Sequence, residues 1–144
     1  RYAASNAAVG IQYCPVLFKI HCWKKSKKHT QEFQNVFKNL DTYKKTLDAG
    51  VPLEQAKRTL PFVHNEQKGL LAIDQRPPKG GVQLRLYIYP QEQTRMIHLT
   101  SIGDKQSQQK DIKIGHQFIQ TLWNNLQPTL RRSTWTRDYQ PYQI

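Results

Sequence analysis

Residues 83–105 constrain the fold more than any other stretch, because two runs of alternating apolar and polar or aromatic side chains flank a short polar turn. Alternation with a period of two marks a strand that buries one face. It sets Leu84, Leu86 and Ile88 on one side of a sheet and Arg85, Tyr87 and Tyr89 on the other. The expectation is a hairpin over 83–89 and 95–102 that packs a core with one face and offers a guanidinium and two phenols with the other. Two registers are open. With Tyr89 opposite Thr94, Arg85 and His98 are direct neighbours; one more loop residue puts them on opposite faces.

The partner for such a face follows from charge. Lys and Arg outnumber Asp and Glu by 22 to 10, a net charge of +12, so nucleic acid leads as partner, ahead of an acidic protein or an anionic membrane surface. No apolar run approaches the length of a membrane span. The chain opens on Arg1 rather than Met, which reads as a trimmed terminus. Residues 1–9 lack the apolar run of a secretory signal, so a cytoplasmic location is expected. Free thiols are favoured over a bridge for Cys14 and Cys22.

At 144 residues one domain is expected, divided into an N-terminal extension 1–15, a core domain 16–126 and a basic aromatic tail 127–144. Residues 16–23 read as a first strand. Phe33, Val36, Phe37, Leu40, Tyr43 and Leu47 recur at helical spacing over 30–49, with Thr30 as N-cap and Gly50 as the stop. Pro52 opens a shorter helix ended by Pro61. Residues 69–74 read as a buried strand, and a stripe from Ile112 to Leu126 as a last helix, capped by Ser107 and closed by Pro128. This order predicts an α+β fold, a small, mainly antiparallel sheet with helices packed on one face.

Several chemistries find no support. Gly-rich phosphate loops, a Gly-x-Ser-x-Gly elbow and zinc-type Cys/His spacing are absent, and no carboxylate cluster suggests a metal. Neither cofactor nor metal is expected. Five candidate groups remain. Lys24, Lys25, Lys27 and Lys28 form a basic turn that is either a solvated charge run or a phosphate clamp; cations before a helix N-terminus oppose its dipole. Arg85, Tyr87 and Tyr89, joined by Arg95, are either an ordinary sheet surface or an RNA-stacking one. His98 lies in an apolar strand as a satisfied core residue or an acid–base group, whereas His64 and His116 read as structural or exposed. Lys105 emerges after the last strand. The tail, with Arg131 and Arg132, suits either RNA contact or packing on the sheet.

The run Leu84-Arg85-Leu86-Tyr87, then Ile97-His98-Leu99, then Lys105-Gln106-Ser107-Gln108 opening a helix, resembles the RelE/ParE toxin superfamily, in particular its phage-derived HigB-like branch. The resemblance implies the toxin of a type II toxin–antitoxin system, a metal-independent, ribosome-dependent endoribonuclease (mRNA interferase). Its partners would be mRNA, the ribosome and a cognate antitoxin. Carried over by position, Arg85 would grip the scissile phosphate and Lys105 would match the lysine after the last strand. His98 and the tyrosines, Tyr87 among them, would serve acid–base or stacking roles. Two alternatives stand beside this one: a ParE-like toxin that binds gyrase, and a non-catalytic nucleic-acid-binding protein.

Overall fold

The computed structural model describes residues 12–15 and 29–130. The expected strand at 16–23 with Cys22, the basic turn of Lys24, Lys25, Lys27 and Lys28, and the tail with Arg131 and Arg132 lie outside the described residues. Along the described chain come β1 (Gln12–Pro15), α1 (Thr30–Asp48), α2 (Leu53–Thr59), β2 (Val63–Asn65), β3 (Leu71–Asp74), β4 (Arg85–Gln91) and β5 (Met96–Gly103). A 3-10 turn (Lys105–Ser107) then leads into α3 (Gln108–Leu130). The described strands form one sheet in the order β1-β5-β4-β3-β2. Strands β2 to β5 are antiparallel neighbours, and β1 runs parallel to β5. The fold is α+β with a mainly antiparallel sheet.

The amphipathic stripe of α1 does what its spacing demands. Val36, Leu40, Tyr43 and Leu47 are buried against Leu71, Ile73, Leu86, Ile88, Ile97, Leu99 and Ile102, with Ala56 of α2 joining them. Gly50, at φ 97°, ends α1 where a side chain would be strained. On the opposite face, Tyr87, Tyr89, Ala72 and Leu70 pack against Ile119 and Trp123 of α3. The helices therefore cover both faces of the sheet rather than one. α3 approaches closely at Gly115, where an added Cβ would stand 2.6 Å from Leu70 Cδ1. This two-sided cover explains why β3 reads as an unbroken apolar run.

Other particulars differ from the sequence reading. Residues 12–15, expected in a loose extension, pair with Met96 to Leu99 as β1. β2 was not anticipated; three residues are too few for a period-two signal. Thr30 is the first helical residue, and His29 takes the cap position, its Nδ1 lying 3.3 Å from Glu32 Oε2. Asp104 caps the last helical segment, accepting from the backbone N–H groups of Gln106 and Ser107. A carboxylate fills that role, leaving the Ser107 hydroxyl to donate to Asp111 Oδ2 at 2.7 Å. Pro128 falls inside α3 rather than closing it. No described helix is long and apolar enough to cross a membrane.

Candidate functional site

Register decides what the hairpin can present. Tyr89 lies opposite His98 and Gln91 opposite Met96, so the turn holds Glu92 to Arg95 and neither anticipated register occurs. A bulge follows: Tyr87 pairs with Ser101 but Ile88 with Leu99, leaving Thr100 to donate its hydroxyl to the Tyr87 carbonyl at 3.0 Å. Arg85 ends up opposite Gly103. Arg85 and His98 thus share a face, separated along it by the length of most of a strand.

The α3 helix closes the middle of that face, which corrects the expectation of an open aromatic surface. Tyr87 and Tyr89 are fully buried, and His98 is 6% exposed. The Tyr89 hydroxyl accepts from Trp123 Nε1 at 3.0 Å, and Phe118 of α3 lies 5.2 Å, ring to ring, from His98. Stacking of RNA bases on Tyr87 or Tyr89 would require α3 to leave. Burial raises the Tyr87 phenol above its ordinary range, with Asp111 adding to the effect, so Tyr87 is a poor proton acceptor near neutrality. The ring of His98 contacts Gln91 Oε1 through Nε2 at 2.9 Å, while its Nδ1 has no partner among the described residues.

Burial also lowers the His98 pKa. The folded state therefore takes up this proton less readily than the unfolded chain does. Stability should fall as pH drops below about 6.5, the unfolded value, and level off once the folded form is protonated too. Thermal melts between pH 8 and pH 5 check this expectation. The His98→Gln variant should flatten that part of the profile, and an unchanged slope would contradict it.

Arg95 lies apart from the other candidate residues. It occupies the left-handed region at φ 54° and reaches Asp48 Oδ1 at 3.7 Å. There it lines a cleft of about 270 Å³ with Leu47, Val51, Leu53 and Met96. This is the far end of β4 from Arg85, about 20 Å away by strand rise.

The open end of the aromatic face is where chemistry gathers. Arg85 pairs across the ladder with Asp74, and its Nη1 meets Glu66 Oε2 at 3.4 Å. His64, opposite Ala72 on the neighbouring strand, places Nε2 2.6 Å from Asp74 Oδ2. Gln83 donates to the same oxygen at 3.3 Å. An ionised carboxylate only accepts, so it selects the His64 tautomer with hydrogen on Nε2 and leaves the lone pair on Nδ1. No described residue bonds that nitrogen. The His64 side chain is 39% exposed, against 24% for Arg85 and 12% for Asp74. Lys105 lies exposed two residues beyond Gly103, the partner of Arg85.

The turn joining β2 to β3 carries Glu66 and is strained. Gln67, Lys68 and Gly69 all have positive φ, at 72°, 57° and 88°. Each such non-glycine residue costs on the order of 1 kcal/mol and persists only when its surroundings over-determine it. Here His116 of α3 supplies the constraint, its Nε2 lying 2.8 Å from the Glu66 carbonyl and 3.2 Å from that of Gln67. The Asn65 side chain accepts from Gln67 N at 3.1 Å.

Of the residues singled out from sequence, then, Arg85 and Lys105 belong to one end of the sheet, Tyr87, Tyr89 and His98 to its interior, and Arg95 to the opposite end. His64, Asp74 and Glu66 were missed as site residues. Among the described residues no three His, Cys, Asp or Glu side chains are grouped so as to hold a metal ion. No family model matches the chain, and no curated protein or solved structure is significantly similar to it.

Proposed function

We propose that this chain is a metal-independent endoribonuclease, the toxin of a toxin–antitoxin pair that cuts mRNA on the ribosome. The observation that carries the reading is the His64–Asp74 contact on the strand next to Arg85. Cleavage of RNA by its own 2′-hydroxyl needs no protein nucleophile. It needs a base for the hydroxyl proton and cations for the charge that develops on the phosphate. His64 Nδ1, oriented through Asp74, supplies the base. Arg85 supplies a fork of donors, only one of which is engaged by Glu66 over a long 3.4 Å contact. As the bond from phosphorus to the 5′-oxygen breaks, that oxygen must take a proton, and Lys105, exposed two residues beyond the partner of Arg85, is the donor proposed for it. The net charge of +12 on the whole chain suits a polyanionic partner.

Primer extension on a defined mRNA in a purified translation system tests the proposal. Breaks within codons are expected with the wild-type protein, unaffected by chelator once ribosome integrity is controlled for. Arg85→Ala should slow cleavage about 10²–10³-fold, the effect typical of losing one donor to a developing oxyanion. The pairing of Arg85 with Glu66 favours one other reading, in which the arginine is structural and the toxin acts by binding a protein such as gyrase. Intact message beside a folded protein, with toxicity unchanged in Arg85→Ala, would select it.

A further inference from the structure

The strained β2–β3 turn does more than carry Glu66, because it forms one wall of a groove on the outer side of α3. The groove has a volume of about 360 Å³ and runs between Lys68 and the helix residues Gln109, Lys113 and Gln117, over Ile112. Among the described residues no carboxylate lines it. Gln109, Lys113 and Gln117 are spaced by four, so they stand in one row along the helix for about 12 Å. Two cations and a row of amide donors over an apolar floor match a phosphodiester strand with its sugars.

The position of the groove adds a second argument. Lys68 stands in a left-handed conformation that lysine adopts rarely, at φ 57°. Holding it there takes His116, whose Nε2 bonds the Glu66 and Gln67 carbonyls. The same Glu66 contacts Arg85 through its carboxylate. Groove and open sheet end are thus joined through two residues, His116 and Glu66.

We infer that the groove between Lys68 and Lys113 is the seat of the RNA strand flanking the scissile phosphate, a subsite for single-stranded phosphodiester backbone. The inference rests on the ribonuclease reading for its role. Its binding content is testable without cleavage. The probe is a fluorescent single-stranded oligonucleotide with 2′-deoxy sugars, which has no attacking hydroxyl, titrated at several salt concentrations. The variant is Lys68→Asn with Lys113→Gln; asparagine tolerates the left-handed backbone and both positions are exposed.

Each phosphate contact on a single strand contributes about 0.7 to the slope of log affinity against log salt. Losing two should flatten the slope by about 1.4 and weaken binding on the order of tenfold at 0.1 M salt. Lys38→Gln with Lys45→Gln, on α1 across the sheet, removes equal charge and should change both far less. Equal losses in the two variants, or a wild-type protein that leaves the oligonucleotide unbound, would overturn the subsite. A wild type that binds in the groove as described yet cuts no RNA would leave the subsite standing and overturn the ribonuclease reading instead.

Discussion

His64→Ala should lower the rate of RNA cleavage about 10²–10⁴-fold, the contribution of a positioned general base. The side chain is 39% exposed on a three-residue strand, and Asp74 keeps the Gln83 amide as a donor when the ring is removed. Fold and oligonucleotide affinity should therefore persist. Asp74→Asn should cost a similar factor, because the amide no longer enforces the tautomer with hydrogen on Nε2 and no longer stabilises the imidazolium that forms as the proton is taken. Single-turnover cleavage of a defined message, with added imidazole as a rescue arm for His64→Ala, separates base catalysis from mere positioning. Cleavage within threefold of wild type in His64→Ala would remove the histidine from the mechanism while leaving Arg85 to be judged by its own variant.

The second large effect concerns the seal over the aromatic face. Trp123→Ala should destabilise the fold by about 3–5 kcal/mol, the usual cost of deleting a buried tryptophan. The residue is 2% exposed, packs with Tyr87, Tyr89 and Ile119, and donates to the Tyr89 hydroxyl. Trp123→Phe keeps an aromatic ring but loses the hydrogen bond to that hydroxyl, so about 0.5–1.5 kcal/mol should remain as loss. Urea unfolding followed by circular dichroism measures both. A loss below about 1 kcal/mol in Trp123→Ala would mean that α3 is only loosely seated. The buried phenols and His98 would then be within reach of a ligand after all.

How much of this was legible in the sequence depends on which interactions set each feature. Helix α1 was readable because Val36, Leu40, Tyr43 and Leu47 form an uninterrupted stripe and Gly50 stops it, both local signals. The hairpin was readable for the same reason. Its register was not, because the bulge at Thr100 arises from a long-range fit of β5 against β4. Tyr87 and Tyr89 were placed outside because tyrosine is at home on either side of a surface. One signal could have corrected this: the stripe of α3 through Ile112, Gly115 and Ile119 needs an apolar surface, and the tyrosine face was the one left uncovered. The His64–Asp74 contact had no signal at all. It joins two residues on adjacent strands across a turn, one of them on a strand too short to announce itself.

One consequence of the sheet order concerns how the chain reaches its fold. Strands β2 to β5 and α3 follow one another in sequence and can assemble by short loop closures. β1 cannot, since Gln12 pairs with Met96, more than eighty residues further on. Closing so long a loop is entropically costly and slow. During synthesis the first strand leaves the ribosome long before its partner exists. Its pairing must wait until β5 has emerged, a delay that none of the other described strands of the sheet shares.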